Sequence, residues 1–368
     1  MIPIAKPLMG EEEMAAVREV LKSGILAQGP KVREFEDAFA QYIGVSHAIA
    51  TSSGTAALHA ALLAMGIKNG DEVITSPFSF IASANSVLYC GAKPVFADVR
   101  EEDFNIDPGE IRKKITKKTR AVIPIHLYGL PADMDEINEI ARDKGLLVLE
   151  DACQAHGAEY KGKKAGSIGD AAVFSFYPTK NMTTGEGGMI TTNNDEFAEK
   201  ARMLRDHGSR KKYLHEVLGF NFRMTSMCAA IGVEQLKKIE QFNARRIRNA
   251  EYLTKKLSGI GGLVLPKAQP GRKHVFHQFT IRVVKEEFGI SRDDLIKLLN
   301  EKGVGTGVHY PVPIHKQPLY VQLGYKDSLP ISEKLANEVV SLPIHPSVSE
   351  SDLDLISEVL ENAKTKGG

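Results

Sequence analysis

The stretch "FSFYPTKN", residues 174–181, decides how the chain is read. It continues an apolar run that opens at Ala171-Ala172-Val173, compact enough for a strand buried in a sheet. The run breaks at Tyr177-Pro178-Thr179, and Lys180 follows at once. Gly185, Gly187 and Gly188 come next, in a turn with almost no other charge. Most lysines are solvated surface charges. A lysine held at a sheet end and partly desolvated has a lowered pKa instead, and can act as a nucleophile or base. This segment alone leaves both readings open.

Working outward, the same kind of short apolar run recurs. "HAIATS" (47–52), "EVITS" (72–76), "PVFADV" (94–99), "AVIPI" (121–125), "LLVLED" (146–151), "AAVFSF" (171–176) and "GGMITT" (187–192) read as strands. Helical patterns separate several of them, including 54–67 and 132–145. The alternation predicts an α/β fold with a mainly parallel seven-stranded sheet covered on both faces. From Ser226 the pattern changes to one long helical stretch, 226–257, followed by an alternating strand at 274–283 and helices at 291–303 and 350–366. The expected division is a large domain over 1–240 and a smaller C-terminal α+β domain over 241–368.

Composition narrows the function. The 368 residues carry a net charge of +1 with no basic block, so nucleic acid and anionic membrane are not expected partners. Cys90, Cys153 and Cys228 are far apart, without the spacing of a zinc site or a disulfide framework, and read as buried thiols. The first residues lack a signal-peptide pattern and no apolar run is long enough to span a bilayer; a cytoplasmic protein is expected.

Two further strand ends join Lys180. In "TSSGTAAL" (51–58), Ser53, Gly54 and Thr55 open a helix and can offer backbone N–H groups to a phosphate; a plain helix cap is the ordinary alternative. In "LLVLEDACQAHGA" (146–158) a buried strand runs into Glu150 and Asp151. A carboxylate there must be paired, either as a helix cap or against a cationic ring nitrogen. A phosphate cradle, an aspartate and a lysine, each at a strand end, together fit pyridoxal 5′-phosphate. Its phosphate needs a helix N-terminus, its ring nitrogen a carboxylate, and its aldehyde a lysine amine.

The chain resembles the DegT/DnrJ/EryC1/StrS family of sugar aminotransferases, within fold-type I of the pyridoxal-phosphate enzymes. The likeness is carried by "GILAQGPKVREFE" (24–36), "SSGTAAL" (52–58), "VITSPFSFIASANSVLYCGAKPVFADV" (73–99), "LEDACQAHGA" (149–158), "FSFYPTKNMTTGEGG" (174–188), "GFNFRMT" (219–225) and "VHYPVPIH" (308–315). The resemblance implies a Schiff-base role and proton shuttling for Lys180, and pairing of Asp151 with the ring nitrogen. Gln154 would face the ring hydroxyl. Phe80 would stack on the ring, or serve simply as a core aromatic. Gly54, Thr55 and Ser175 would hold the phosphate. Asn221 would reach the phosphate of a neighbouring subunit, which implies a homodimer with shared active sites. His309, Tyr310 and His315 would lie along the sugar nucleotide. The two histidines are separated by Pro311 and Pro313 in an extended loop, and no metal is expected.

A dehydratase branch of the family carries histidine at the Schiff-base position, so Lys180 points to transamination. The expected reaction takes an amino group from an amino acid, glutamate, through pyridoxamine phosphate, to a nucleotide-linked keto sugar such as a 4-keto-6-deoxyhexose. A free cyclic ketone such as an inosose is an alternative acceptor. A regulatory protein that binds the cofactor without turnover is the alternative of another class.

Overall fold

The computed structural model describes residues 1–267 and 269–367. The seven expected runs form one sheet: β1 (His47–Thr51), β2 (Glu72–Thr75), β3 (Lys93–Phe96), β4 (Thr119–Ile123), β5 (Leu147–Asp151), β6 (Ala171–Ser175) and β7 (Gly188–Thr192). Their spatial order is β1-β7-β6-β5-β4-β2-β3. Five strands, β2 to β6, run parallel, while β7 is antiparallel to both β6 and β1.

Successive side chains of a strand point to opposite faces. Ala172 and Phe174 accordingly enter a core with Phe35, Phe39 and Phe176, beneath the helices Pro30–Ile43 and Ser226–Leu257. Ala171 and Val173 face the other way and pack with Ile49, Leu58 and Leu62. Leu58 and Leu62 belong to helix Gly54–Ala64, where alanine and leucine are buried on most sides. An all-round apolar helix is one sealed inside the protein. Its first residue therefore sits at a fixed height against the sheet.

Register aligns the strand ends. Ser175, the last residue of β6, pairs with Gly188, and Gly188 pairs with Thr51, the last residue of β1. Asp151 ends β5, paired with Val173. The carboxyl ends of β1, β5 and β6 thus lie along one edge, where open α/β sheets bind their ligands.

A second core surrounds a three-stranded antiparallel sheet of Leu263–Val264, Phe279–Val283 and Val339–Leu342. It includes Ile281 and Val340 of that sheet, Leu295 and Leu299 of helix Arg292–Glu301, and Leu353 and Ile356 of helix Glu350–Gly367. Ile2 also packs there, through a backbone bridge to Val304. The expected boundary near residue 240 falls inside helix Ser226–Leu257. Its Ala229, Val233 and Ile239 enter the first core, and its Ala250, Leu253 and Leu257 the second. We propose the two-unit division on the strength of these separate cores, with this helix shared between them.

The strand expected over 274–283 is shorter than its pattern, spanning Phe279–Val283 only. In the preceding segment, backbone groups bond elsewhere. Val275 N–H donates to Gly129 O, Asn181 Nδ2 donates to Val275 O, and Arg246 Nη1 donates to the carbonyls of Phe276 and His277. Backbone and side-chain groups of Gly129, Asn181 and Arg246 take the place of a partner strand. A short hairpin, Ser209–Lys211 with Leu214–His215, has no counterpart in the expected elements.

Candidate active site

Lys180 follows β6 by five residues, in a turn closed by its own N–H on Tyr177 O at 2.9 Å. The turn is pinned from several sides. Asn181 Nδ2 donates to Asn243 Oδ1 at 2.8 Å, and Thr183 Oγ1 donates to Phe176 O at 2.7 Å. Burial pushes the Lys180 amine below the ordinary lysine range; the neighbouring Cys153 sulfur and Asp151 carboxylate work in the opposite direction. A partly buried amine of this kind spends more of its time unprotonated, as a nucleophile must.

Asp151 is buried, and its carboxylate is oriented by two donors. Ser83 Oγ donates to Oδ2 at 2.7 Å and Cys153 N–H donates to Oδ1 at 3.2 Å. The adjacent Glu150 faces the opposite side of the sheet and is fully buried. It accepts N–H groups of Gly166, Ile168 and Gly169 at 2.7–2.8 Å, and His126 Nε2 at 2.9 Å. Burial opposes its charge, yet His126 and these N–H groups outweigh it and hold the carboxyl below the usual range. Of the two acids at this strand end, Glu150 is committed to structure.

The helix opening at Gly54 is capped by Ser53, whose Oγ accepts Ala56 N–H at 3.1 Å. The N–H groups of Gly54 and Thr55 have no acceptor within their own helix. Glycine is required here by contact. A Cβ on Gly54 would stand 2.8 Å from Ser175 Cβ, and one on Gly188 would stand 2.3 Å from Ser53 O. The cradle, Ser175 and the glycine pair of "GEGG" are therefore packed backbone to backbone.

Gln154 lies one turn beyond Asp151 and is buried, with Nε2 donating to the Tyr310 hydroxyl at 3.1 Å. Phe80 is 58% exposed with its ring 6.4 Å from that of Tyr310, so it stands on the open side of the group rather than in a core. His309 Nδ1 is 2.9 Å from Ser341 Oγ. Burial, with Lys180 as a lesser contributor, holds its imidazole at about 4, hence neutral. His315 stands apart from this group. It is buried against Phe96, with Nε2 3.1 Å from Glu333 Oε1. Asn221 is exposed, next to Phe222, whose carbonyl accepts Ser52 N–H at 2.8 Å. Among the described residues, no contact brings the Asn221 side chain to its own Lys180 or Asp151.

Ser83, Tyr128 and Asn181 join the site without having been singled out in the sequence. Ser83 and Asn181 lie within the stretches that carry the family likeness, which was their only signal. Tyr128, whose N–H donates to Gln154 Oε1 at 2.8 Å, had none.

The residues present fit pyridoxal 5′-phosphate. A nucleophilic amine, an oriented buried carboxylate and free N–H groups at a helix start share one sheet edge. The fold and the site define a pyridoxal-phosphate enzyme of fold-type I. The model of the DegT/DnrJ/EryC1/StrS aminotransferase family matches residues 7–361. A Geobacillus stearothermophilus protein named "Pleiotropic regulatory protein" is 46% identical, covering 94% of this chain and 93% of its own. The GDP-perosamine synthase of Caulobacter vibrioides is 44% identical, covering 98% and 97%. The structure of S. venezuelae DesV in complex with a ketimine intermediate is 41% identical, covers 96% of this chain and 94% of its own, and has a TM-score of 0.92. The chain belongs to the DegT/DnrJ/EryC1/StrS aminotransferase family, and it is a pyridoxal-phosphate-dependent aminotransferase.

Proposed function

We propose that the protein moves an amino group from an amino acid, glutamate, to a nucleotide-linked keto sugar, a 4-keto-6-deoxyhexose, by a ping-pong mechanism. The observation that carries the reading is the meeting of Lys180, Asp151 and the Gly54 helix start at one sheet edge, open on the side of Phe80 and Tyr310. The sugar-nucleotide acceptor is supported by relatives such as the Caulobacter GDP-perosamine synthase, 44% identical across 98% of this chain.

When bound, the cofactor supplies an electron sink for the carbon that loses its proton. Lys180 would hold the cofactor through its amine and, once that amine is free, would serve as the acid–base group that moves the substrate proton. Asp151, held by Ser83 and the Cys153 N–H, would pair with the ring nitrogen. The Gly54 and Thr55 N–H groups, with Ser175, would hold the phosphate. Gln154 would face the ring hydroxyl, and Phe80 would cover the ring. His309 and Tyr310 would lie along the sugar nucleotide, and His315, bonded to Glu333, would anchor their loop.

The proposal includes a cytoplasmic homodimer with two-fold symmetry, in which Asn221 reaches the partner's phosphate site. Support comes from the exposure of Asn221 and from exposed apolar side chains in and just after the preceding hairpin, Tyr213 at 83% and Leu218 at 86%. Among the described residues no helix is long and apolar enough to cross a membrane.

The test is a two-step absorbance experiment. Glutamate should convert the resting cofactor band to the amine form, and one of a panel of dTDP-, UDP- and GDP-linked 4-keto-6-deoxy sugars should restore it. Recovery with an inosose alone would overturn the sugar-nucleotide reading. No conversion by any amino donor would overturn the ping-pong reading as a whole.

A further inference from the structure

We propose that Tyr128 is a positioning residue: its N–H fixes which end of the Gln154 amide faces the cofactor, and its hydroxyl ties that point to the His309–Tyr310 segment. The inference rests on the reading of Gln154 as a cofactor contact and of His309–Tyr310 as a substrate contact.

Tyr128 is a buried non-glycine residue with φ 57° and ψ 8°. Side chains with a Cβ seldom adopt this left-handed conformation, and it persists only where the surroundings impose it. They do so here. His126 N–H donates to Asp151 O at 3.0 Å, and Leu127 N–H donates to Asn105 Oδ1 at 3.1 Å. The next residue, Gly129, also has a positive φ, 95°, and a Cβ there would meet Val275 Cγ2 at 2.9 Å. The Tyr128 ring is held edge-on by Phe104 at 5.5 Å.

The result is one N–H aimed at Gln154 Oε1, at 2.8 Å. A backbone N–H can only donate, so it must face the amide oxygen. The amide NH2 is then forced to the opposite side, where it meets the Tyr310 hydroxyl at 3.1 Å. With one amide hydrogen on Tyr310, the second is the donor that Gln154 would offer to the cofactor ring hydroxyl. A donor favours the ionised oxygen; an acceptor would favour the protonated one. A glutamine free to turn over could offer either end. From the same residue, the Tyr128 hydroxyl donates to His309 O, on the segment that carries Tyr310. One residue thus sets the amide's polarity and the height of the substrate-facing loop.

Two variants separate the two contacts. Gln154→Glu keeps an acceptor for the Tyr128 N–H and removes the donor toward the ring. Tyr128→Phe keeps the N–H and removes the hydroxyl. The resting cofactor chromophore is titrated by absorbance against pH in each, alongside the wild type. In Gln154→Glu its proton affinity should rise by roughly tenfold or more, about one pH unit. In Tyr128→Phe the titration should be unchanged, while KM for the sugar-nucleotide acceptor rises roughly tenfold and the glutamate half-reaction keeps its rate. An unshifted titration in Gln154→Glu, or equal losses in both half-reactions of Tyr128→Phe, would overturn the proposal. If Tyr128→Phe does not fold, the Gln154→Glu titration still decides the amide's polarity. Failure of the cofactor reading itself would show in the wild-type titration, whereas failure of this inference shows only in the variants.

Discussion

Replacing Gly54 with alanine perturbs the cradle where the structure leaves least room. The new Cβ would stand 2.8 Å from Ser175 Cβ and 3.3 Å from both Ser175 Cα and Cys153 Sγ. Carbon atoms rest at about 3.5–4.0 Å, so the gap is short by roughly 0.7–1.2 Å. Neither side gives easily: Ser175 is locked in register with Gly188, and the helix is buried along most of its length. Overpacking of this kind costs about 1–3 kcal/mol. If the helix start yields, the phosphate cradle opens and affinity for pyridoxal 5′-phosphate falls by about 5–150-fold. Titration of the apo-protein by absorbance reads this directly. Pyridoxal, which lacks the phosphate, should bind the variant and the wild type alike. Gly66→Ala is the control, since its φ is +84° but nothing lies within 4 Å of the added Cβ. It should lose some stability and no cofactor affinity. Equal loss of pyridoxal and pyridoxal phosphate binding in Gly54→Ala, or no loss of either, would refute the cradle.

Asp151→Asn should lower kcat/KM by roughly a hundredfold or more with the fold intact by circular dichroism; near-normal turnover would leave the carboxylate a helix cap. Mixing Lys180→Ala with Asn221→Ala subunits should restore activity, because one site of the heterodimer carries both lesions and the other neither; no recovery despite demonstrated subunit exchange would place Asn221 outside the partner's site. Burial holds the imidazoles of His156 and His274 at about 3 and that of His309 at about 4, against an ordinary 6.5. The unfolded chain therefore takes up protons first, and stability should fall as pH drops from about 6.5 toward 4, by about 1 kcal/mol per histidine at pH 5.5. Identical denaturation midpoints at pH 7.5 and 5.5 would contradict this.

Strand positions were legible because each of the seven runs is apolar on both faces and bounded by turn residues. Direction was not: "GGMITT" reads like its parallel neighbours, yet it runs against them, since apolar content does not encode polarity of the chain. The alternation in 274–283 was misleading for a physical reason. Backbone groups near its start are bonded by Asn181, Arg246 and Gly129, which no local pattern announces. Lys180, Asp151 and Gly54 were legible as charges or small residues near strand ends, where register brought the ends together, whereas Ser175 was reached only through the family resemblance. His315 matched the same motif as His309, but the short turn Ile314–Lys316 carries it into a core beside Phe96 and Glu333. Tyr128 was invisible because its role rests on a backbone N–H and a positive φ, neither of which belongs to its side-chain type.

The central claim is that Lys180 carries the cofactor and gives it up to an amino donor. Borohydride reduction of the resting holoenzyme, followed by digestion and mass mapping, tests this most directly. The pyridoxyl label should fall on the peptide containing Lys180 and on no other. Treatment with glutamate before reduction should abolish the label, because the amine form no longer holds the lysine. A label on a different lysine, or one that survives glutamate undiminished, would contradict the account.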